Sequence, residues 1–121
     1  MVKALFDSNI LIDYLNGVEA ARTELSLHQD PAICVVTWME VMVGVAPANA
    51  PRTRAFLERF KIIGIDSAVA EMAVELRKAH RIRLPDAIIW ACAKVEARLL
   101  VTRNIRDFPL SDPGVREPYR L

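Results

Sequence analysis

Four short apolar runs, at residues 2–6, 32–36, 61–65 and 99–102, are separated by one or two helical patterns and nowhere by a hairpin turn. Strands joined in this way need crossover connections, so they pair in parallel, and a parallel sheet has to be covered on both faces. The alternation predicts a three-layer α/β domain with a mainly parallel central sheet of four to five strands. No internal repeat interrupts it.

The punctuation between the runs supports this reading. Ser8-Asn9 opens a helix carrying Ile10, Leu11, Tyr14 and Leu15, Gly17 ends it, and a second helix occupies residues 18–28. Asp30-Pro31 then breaks the chain before the second strand. Thr37 is suited to cap a helix reaching about residue 45, and Pro51 to open one that ends near residue 60. Asp66-Ser67 caps a helix to about residue 79, and Pro85 starts another to about residue 97. The segment after Phe108 reads as loop with room for an edge strand.

A chain of 121 residues, 53% hydrophobic and 26% charged, suits one packed domain over residues 1–121 and argues against disorder. The longest apolar stretch, residues 33–46, is interrupted by Glu40 and falls short of the roughly 18 residues a membrane span requires. Asp7 arrives before a signal-peptide apolar region can form, so the expected location is the cytoplasm, with no membrane contact. Cys34 and Cys92 each sit within apolar runs and read as free core thiols. A net charge of +1 neither advertises nor forbids a nucleic-acid partner.

In a parallel sheet, ligands bind beyond the carboxyl ends of the strands. Asp7 follows the first run, Glu40 comes shortly after the second, Asp86 opens a helix, and Asn104 with Asp107 follows the fourth. Each has a structural explanation taken singly: Asp7 suits a cap, Thr37-Trp-Met-Glu40 fits a capping box, and Asp86 after Pro85 is a common first-turn acid. The helix that Asp86 opens has almost no polar face, however, and an acid entering apolar surroundings needs a partner. Carboxylates converging on one crevice repel unless protonated or neutralised, and an all-oxygen donor set suits Mg²⁺ or Mn²⁺ better than zinc. Ser8 and Thr102 are suited to orient a carboxylate by hydrogen bonding. Neither His28 nor His80 lies in a segment that favours catalysis.

The stretches Phe6-Asp-Ser-Asn-Ile-Leu-Ile12, Thr37-Trp-Met-Glu-Val-Met-Val-Gly44, Leu84-Pro-Asp-Ala-Ile-Ile-Trp-Ala-Cys-Ala93 and Leu100-Val-Thr-Arg-Asn-Ile-Arg-Asp-Phe108 resemble, in this order and spacing, those of the PIN-domain ribonucleases. The resemblance is strongest to the VapC-type toxins of prokaryotic toxin–antitoxin pairs and covers nearly the whole chain. It implies that Asp7, Glu40 and Asp86 are metal-site acids and that Thr102 and Asn104 help to shape the site. Asp107 is the candidate fourth acid, although many relatives place that acid at the position of Asn104. On this resemblance Asp7 and Asp86 are the expected direct ligands, with Glu40 and Asp107 acting through water or on a second ion. The resemblance further implies a homodimer and a divalent-metal-dependent endoribonuclease acting on RNA. A VapB-type antitoxin would inhibit the toxin, and DNA would be contacted only through that antitoxin. Basic residues flanking the crevice, Arg77, Lys78, Arg81, Arg83, Arg103 and Arg106, are the expected RNA contacts. Tyr14 and Leu15 fit either the core or an antitoxin-receiving surface, and Trp38, Met39, Met42 and Trp90 fit core or dimer packing.

Three other readings compete. A phosphorelay receiver has the same fold class, with Asp66 in the phosphoacceptor's place, but residues 2–8 lack its adjacent acid pair. A haloacid-dehalogenase-type phosphatase wants an acid where this chain has Asn9. A PIN-like protein that has lost catalysis and serves only to bind is the third, motivated by the departure from the family pattern at the fourth acid.

Overall fold

The computed structural model describes residues 2–121. Its strands are β1 (Ala4–Phe6), β2 (Ala32–Cys34), β3 (Lys61–Ile63), β4 (Leu99–Val101) and β5 (Val115–Arg116). They form one sheet in the order β3-β2-β1-β4-β5, and every pairing is parallel. Phe6 stands opposite Val101 across β1 and β4, and Cys34 opposite Ile63 across β2 and β3. The two-residue β5 is the edge strand for which the tail had room.

The helices are α1 (Ser8–Leu15), α2 (Glu19–Ser26), α3 (Val35–Val43), α4 (Ala50–Leu57), α5 (Ser67–His80) and α6 (Leu84–Val95). Because successive side chains of a strand point to opposite faces, the sheet is apolar on both. Leu5, Ala32, Cys34 and Leu100 pack with Ala73 and Leu76 of α5 and Ile89 and Trp90 of α6. On the other face Ala4, Phe6, Ile33 and Val101 pack with Ile10 and Leu11 of α1, Ala21 of α2, and Phe56 and Leu57 of α4. The three-layer α/β/α architecture read from the sequence is the one observed.

The chain adds β2 and β3 on one side of β1 and then β4 and β5 on the other, so the strand order reverses between β1 and β4. A crevice opens at such a reversal, beyond the carboxyl ends of the strands. Asp7 and Thr102, the residues immediately after β1 and β4, face it. The order also differs from the 2-1-3-4-5 arrangement of receiver domains. Asp66 is occupied as the cap of α5, its carboxylate accepting from the Val69 amide at 2.9 Å.

One local expectation is corrected. β2 stops at Cys34, and α3 begins at Val35 instead of after a Thr37 cap. The Cys34 thiol takes the capping role by accepting from the Val36 amide at 3.4 Å. Thr37 is then a fully buried helical residue whose hydroxyl is the one buried side-chain oxygen lacking a partner among the described residues. Glu40 consequently lies in the middle of α3, one turn deeper than a capping box would place it.

The stretch after β4 is pinned by Phe108, which is fully buried and meets Trp90 edge-on at 5.7 Å between ring centroids. Replacing that ring with a methyl group removes both burial and an aromatic pair. Phe108→Ala should lower unfolding free energy by about 3–5 kcal/mol in denaturant titrations. A loss below about 1 kcal/mol would show that Phe108 does not anchor the segment carrying Asn104 and Asp107.

Candidate active site

The site is built outward from Asp7. Its backbone N–H continues the sheet by donating to the Val101 carbonyl at 3.0 Å, and its extended φ of −75° and ψ of 160° make it the N-cap of α1. One carboxylate oxygen accepts from the Ser8 amide at 2.7 Å. The other accepts from the Thr102 hydroxyl at 2.7 Å and from the Asn9 side-chain amide at 3.1 Å. Asp7 is only 5% exposed. Its pKa is raised to about 6 because burial disfavours the charged form, with the charges of Asp86 and Glu40 adding to it. The Thr102 and Ser8 hydrogen bonds oppose the rise without cancelling it.

The other acids arrive from different elements. Glu40, half-buried on α3, accepts from the Ser8 hydroxyl at 2.5 Å, so Ser8 bridges two of the predicted acids. Asp86 lies in the first turn of α6, buried, with its pKa raised mainly by burial and further by the charges of Asp107 and Glu40. Arg83 opposes that rise from 3.4 Å, but its side chain is 75% exposed. Asp107 accepts from the Asn104 side-chain amide at 3.0 Å, and the Asn104 backbone N–H donates to the Thr102 hydroxyl at 3.0 Å. The two candidates for the fourth position are thus hydrogen-bonded to each other on one loop.

Asp7 therefore feels the charges of Asp86 and Glu40, and Asp86 those of Asp107 and Glu40. Their oxygens are turned to local donors, however, and among the described residues no group of three or more His, Cys, Asp or Glu side chains is gathered tightly enough to hold a metal ion. A convergent cage is not what the smaller of the expected cations demands. Mg²⁺ keeps several of its waters and is commonly held through one or two carboxylates. The donor set is all oxygen, anionic and partly shielded from solvent, and in kind it fits a hard divalent cation.

The basic residues are treated less uniformly than their clustering suggests. Arg81, Arg83 and Arg106 are exposed. Arg77 is engaged in donating to the Ile82 carbonyl at 2.8 Å. Arg103 is likewise turned away from a free role: its guanidinium donates to both oxygens of buried Asp13 at 2.6 and 3.1 Å. The histidines are structural in setting, His28 against Glu24 at 2.7 Å and His80 tilted over Trp90.

Sequence reasoning named Ser8, Thr102 and Asn104 as supporting residues but missed Asn9. Besides its bond to Asp7, the Asn9 amide donates to Thr102 at 3.2 Å, and its oxygen accepts from the Arg103 backbone N–H at 3.2 Å. The available signal was an asparagine in the first turn of a helix, next to Ile10-Leu11-Ile12, where a short amide is a poor helix former but a good local hydrogen-bonding group.

A family model described as the PIN domain matches residues 4–109. The chain is 35% identical to Ribonuclease VapC10 of Mycobacterium tuberculosis, an alignment covering 97% of this chain and 93% of that protein. Among solved structures it is similar to a chain of a toxin–antitoxin complex from Klebsiella pneumoniae, at 45% identity and a TM-score of 0.93 over 98% of this chain and 100% of that one. It is also similar to a chain of the DNA-bound VapBC from Salmonella typhimurium, at 26% identity and a TM-score of 0.75 over 96% of each.

The raised pKa of Asp7 predicts how stability responds to pH in the absence of divalent cations. The folded form holds the proton up to about pH 6, whereas an unfolded aspartate releases it near 3.8. The stabilising contribution is therefore complete below about 3.8 and is lost as pH rises through about 6. Relative to Asp7→Asn, the wild-type protein should gain about 2 kcal/mol between pH 7 and pH 4, read from urea unfolding in chelator. Parallel stability curves for the two proteins would show that Asp7 is not the group responsible.

Proposed function

The chain belongs to the PIN domain family, and from the site it builds we propose that it is a divalent-metal-dependent endoribonuclease, the toxin of a toxin–antitoxin pair. The observation that carries the reading is that Asp7 lies within electrostatic reach of Asp86 and Glu40, and Asp86 within reach of Glu40 and Asp107, with the exposed Arg83 the one cation paired to any of the four among the described residues. A fold that only needed these acids for capping would have no reason to bury two of them against each other's charge. The names of similar proteins, a ribonuclease and toxin–antitoxin complexes, point the same way.

Asp7 and Asp86 would hold Mg²⁺, or Mn²⁺ in its place, with Glu40 and Asp107 at the margin of the site through water. The bound cation supplies Lewis acidity and counter-charge toward a phosphate. The chain's own side chains do the remaining work. Thr102, Asn9 and the Ser8 amide fix both oxygens of Asp7, which prevents the carboxylate from rotating as charge builds nearby. The Ser8 hydroxyl occupies one oxygen of Glu40 and leaves the other free to orient a water. Asn104 does the same for Asp107. Arg81, Arg83 and Arg106, exposed near this rim, would draw in the RNA backbone without reading its sequence.

An antitoxin of the VapB type is the partner this reading calls for, and a groove of about 540 Å³ offers it a seat. Tyr14 stacks on Phe56 at 4.7 Å to form part of its lining, and Arg22 and Arg59 contribute positive charge. Tyr14 is half-buried, lining this groove while packing into the core beside it, and Leu15 lines an adjoining one. Such a surface suits an amphipathic segment bearing acidic residues. Assembly as a homodimer in the cytoplasm belongs to the same proposal. No helix among the described residues is long and apolar enough to cross a membrane.

Purified protein should cleave single-stranded or structured RNA only with Mg²⁺ or Mn²⁺ added. Asp7→Asn and Asp86→Asn should each lower the rate at least about 100-fold while leaving the circular dichroism spectrum unchanged. Undiminished cleavage in both variants would reject the assignment. Substituting Asn104 and Asp107 separately by Ala decides the fourth position: loss with Asn104→Ala alone would remove Asp107 from the site.

A further inference from the structure

Arg103 was expected to meet RNA, yet it is committed elsewhere, and what it is committed to reaches back into the site. Asp13 of α1 is 7% exposed. One of its oxygens accepts from the Arg103 guanidinium at 2.6 Å and from the Tyr119 hydroxyl at 2.7 Å, and its other oxygen accepts from Arg103 at 3.1 Å. The Arg103 guanidinium also lies over the Tyr119 ring, 6.0 Å from its centroid. Three distant parts of the chain, namely α1, the loop after β4 and the C-terminal tail, are thus closed around one carboxylate.

From this geometry we propose that Asp13, Arg103 and Tyr119 form a positioning device that clamps the loop after β4 onto α1 and so sets the hydrogen bonds that hold Asp7. The proposal rests on the functional reading above and concerns how its site is kept in shape. The connection runs through short bonds. With its side chain held by Asp13, the Arg103 backbone N–H is presented to the Asn9 oxygen at 3.2 Å. The Asn9 amide in turn donates to Asp7 and to Thr102. On the other side of Arg103, the Asn104 backbone N–H donates to Thr102, and Thr102 donates to Asp7. Loosening Arg103 therefore loosens both donors on the same Asp7 oxygen.

The tail is fixed well enough to serve as the third arm. β5 ends at Arg116, whose guanidinium makes two bonds of 2.8 Å to buried Glu24 on α2. Tyr119 follows three residues later, and burial beside Asp13 holds its phenol protonated, as a donor. An arginine fork and a phenol sharing one carboxylate have strict directional demands, which makes the loop's position specific and not merely close. A lysine in place of Arg103 would keep the charge and lose the fork.

The test uses the full chain and Tyr119→Phe, Arg103→Lys and Arg103→Met, with two independent readouts. The first requires no catalysis: amide hydrogen exchange at Arg103 and Asn104 in metal-free protein. Tyr119→Phe should speed exchange at both amides by about tenfold while the melting temperature falls by no more than a few degrees. Unchanged exchange in all three variants would overturn the proposal, whatever the protein's activity. The second is RNA cleavage with Mn²⁺. Misplaced groups should lower kcat about tenfold or more with KM for RNA unchanged, in the order Arg103→Met worse than Arg103→Lys worse than Tyr119→Phe. A rise in KM at constant kcat, confined to the Arg103 variants, would instead make Arg103 an RNA contact and overturn the clamp. Wild-type protein that shows the exchange differences between variants but cleaves no RNA would leave the clamp standing and defeat the functional reading alone.

Discussion

Everything in this molecule's site depends on a buried carboxylate at the point where the strand order reverses. Asp7 is the first residue past β1, its backbone completes the sheet's last ladder bond to β4, and its side chain starts α1. A single residue therefore ends a strand, caps a helix and faces the crevice between two parallel strands. Moving it by one position would turn its side chain into one of the two apolar layers, because neighbouring positions of a strand point to opposite faces. The register between Phe6 and Val101 consequently sets where the carboxylate sits, and Thr102 on the adjacent strand end meets it for the same reason.

Much of this was legible from residue order. The apolar runs are uninterrupted because both faces of the sheet are covered, and that signal is strong in a parallel sheet. Asp7, Asp86 and the Asn104–Asp107 pair could be singled out because each follows or opens an element whose boundary is marked by ordinary punctuation. Glu40 was singled out for a partly mistaken reason. The structure does bring it next to Asp7 through Ser8, but the cap of α3 is the Cys34 thiol, a weak acceptor that propensity rules do not favour. The contact with Cys92 helps explain the substitution: the two thiols lie 3.2 Å apart in the core, so Cys34 is placed there by packing and takes the cap position as a result.

What sequence order concealed are contacts between residues far apart in the chain that share no pattern. Arg103 lies among other basic residues, and nothing local distinguishes it from Arg106, yet one is paired with Asp13 and the other is exposed. The difference arises because the loop after β4 brings Arg103 against Asp13 of α1, where Tyr119 of the tail meets the same carboxylate. Tyr119 offers even less warning, since a tyrosine in a proline-bearing tail ordinarily suggests an irregular surface segment. Charge clustering in a sequence is a reading of composition, and only the fold assigns each charge its partner.

Comparison of the buried acids separates Asp7 from those elsewhere in the fold. Glu24, 3% exposed, faces Arg116 and His28, and the Arg116 hydrogen bonds hold its pKa below the ordinary carboxylate range. Asp13 is satisfied by the Arg103 fork and a phenol. Asp7 is buried to a similar degree, but its donors are neutral, its nearest charges are other acids, and its pKa moves in the opposite direction. The same small fold thus neutralises buried carboxylates where they serve architecture and leaves Asp7 without a cationic partner at the strand reversal. Desolvation without a counter-ion costs stability. A chain that accepts this cost at one crevice while avoiding it on the far side of α1 concentrates negative potential where the sheet topology already provides an opening. The unbalanced charge is the electrostatic counterpart of that opening, in a chain whose net charge is only +1.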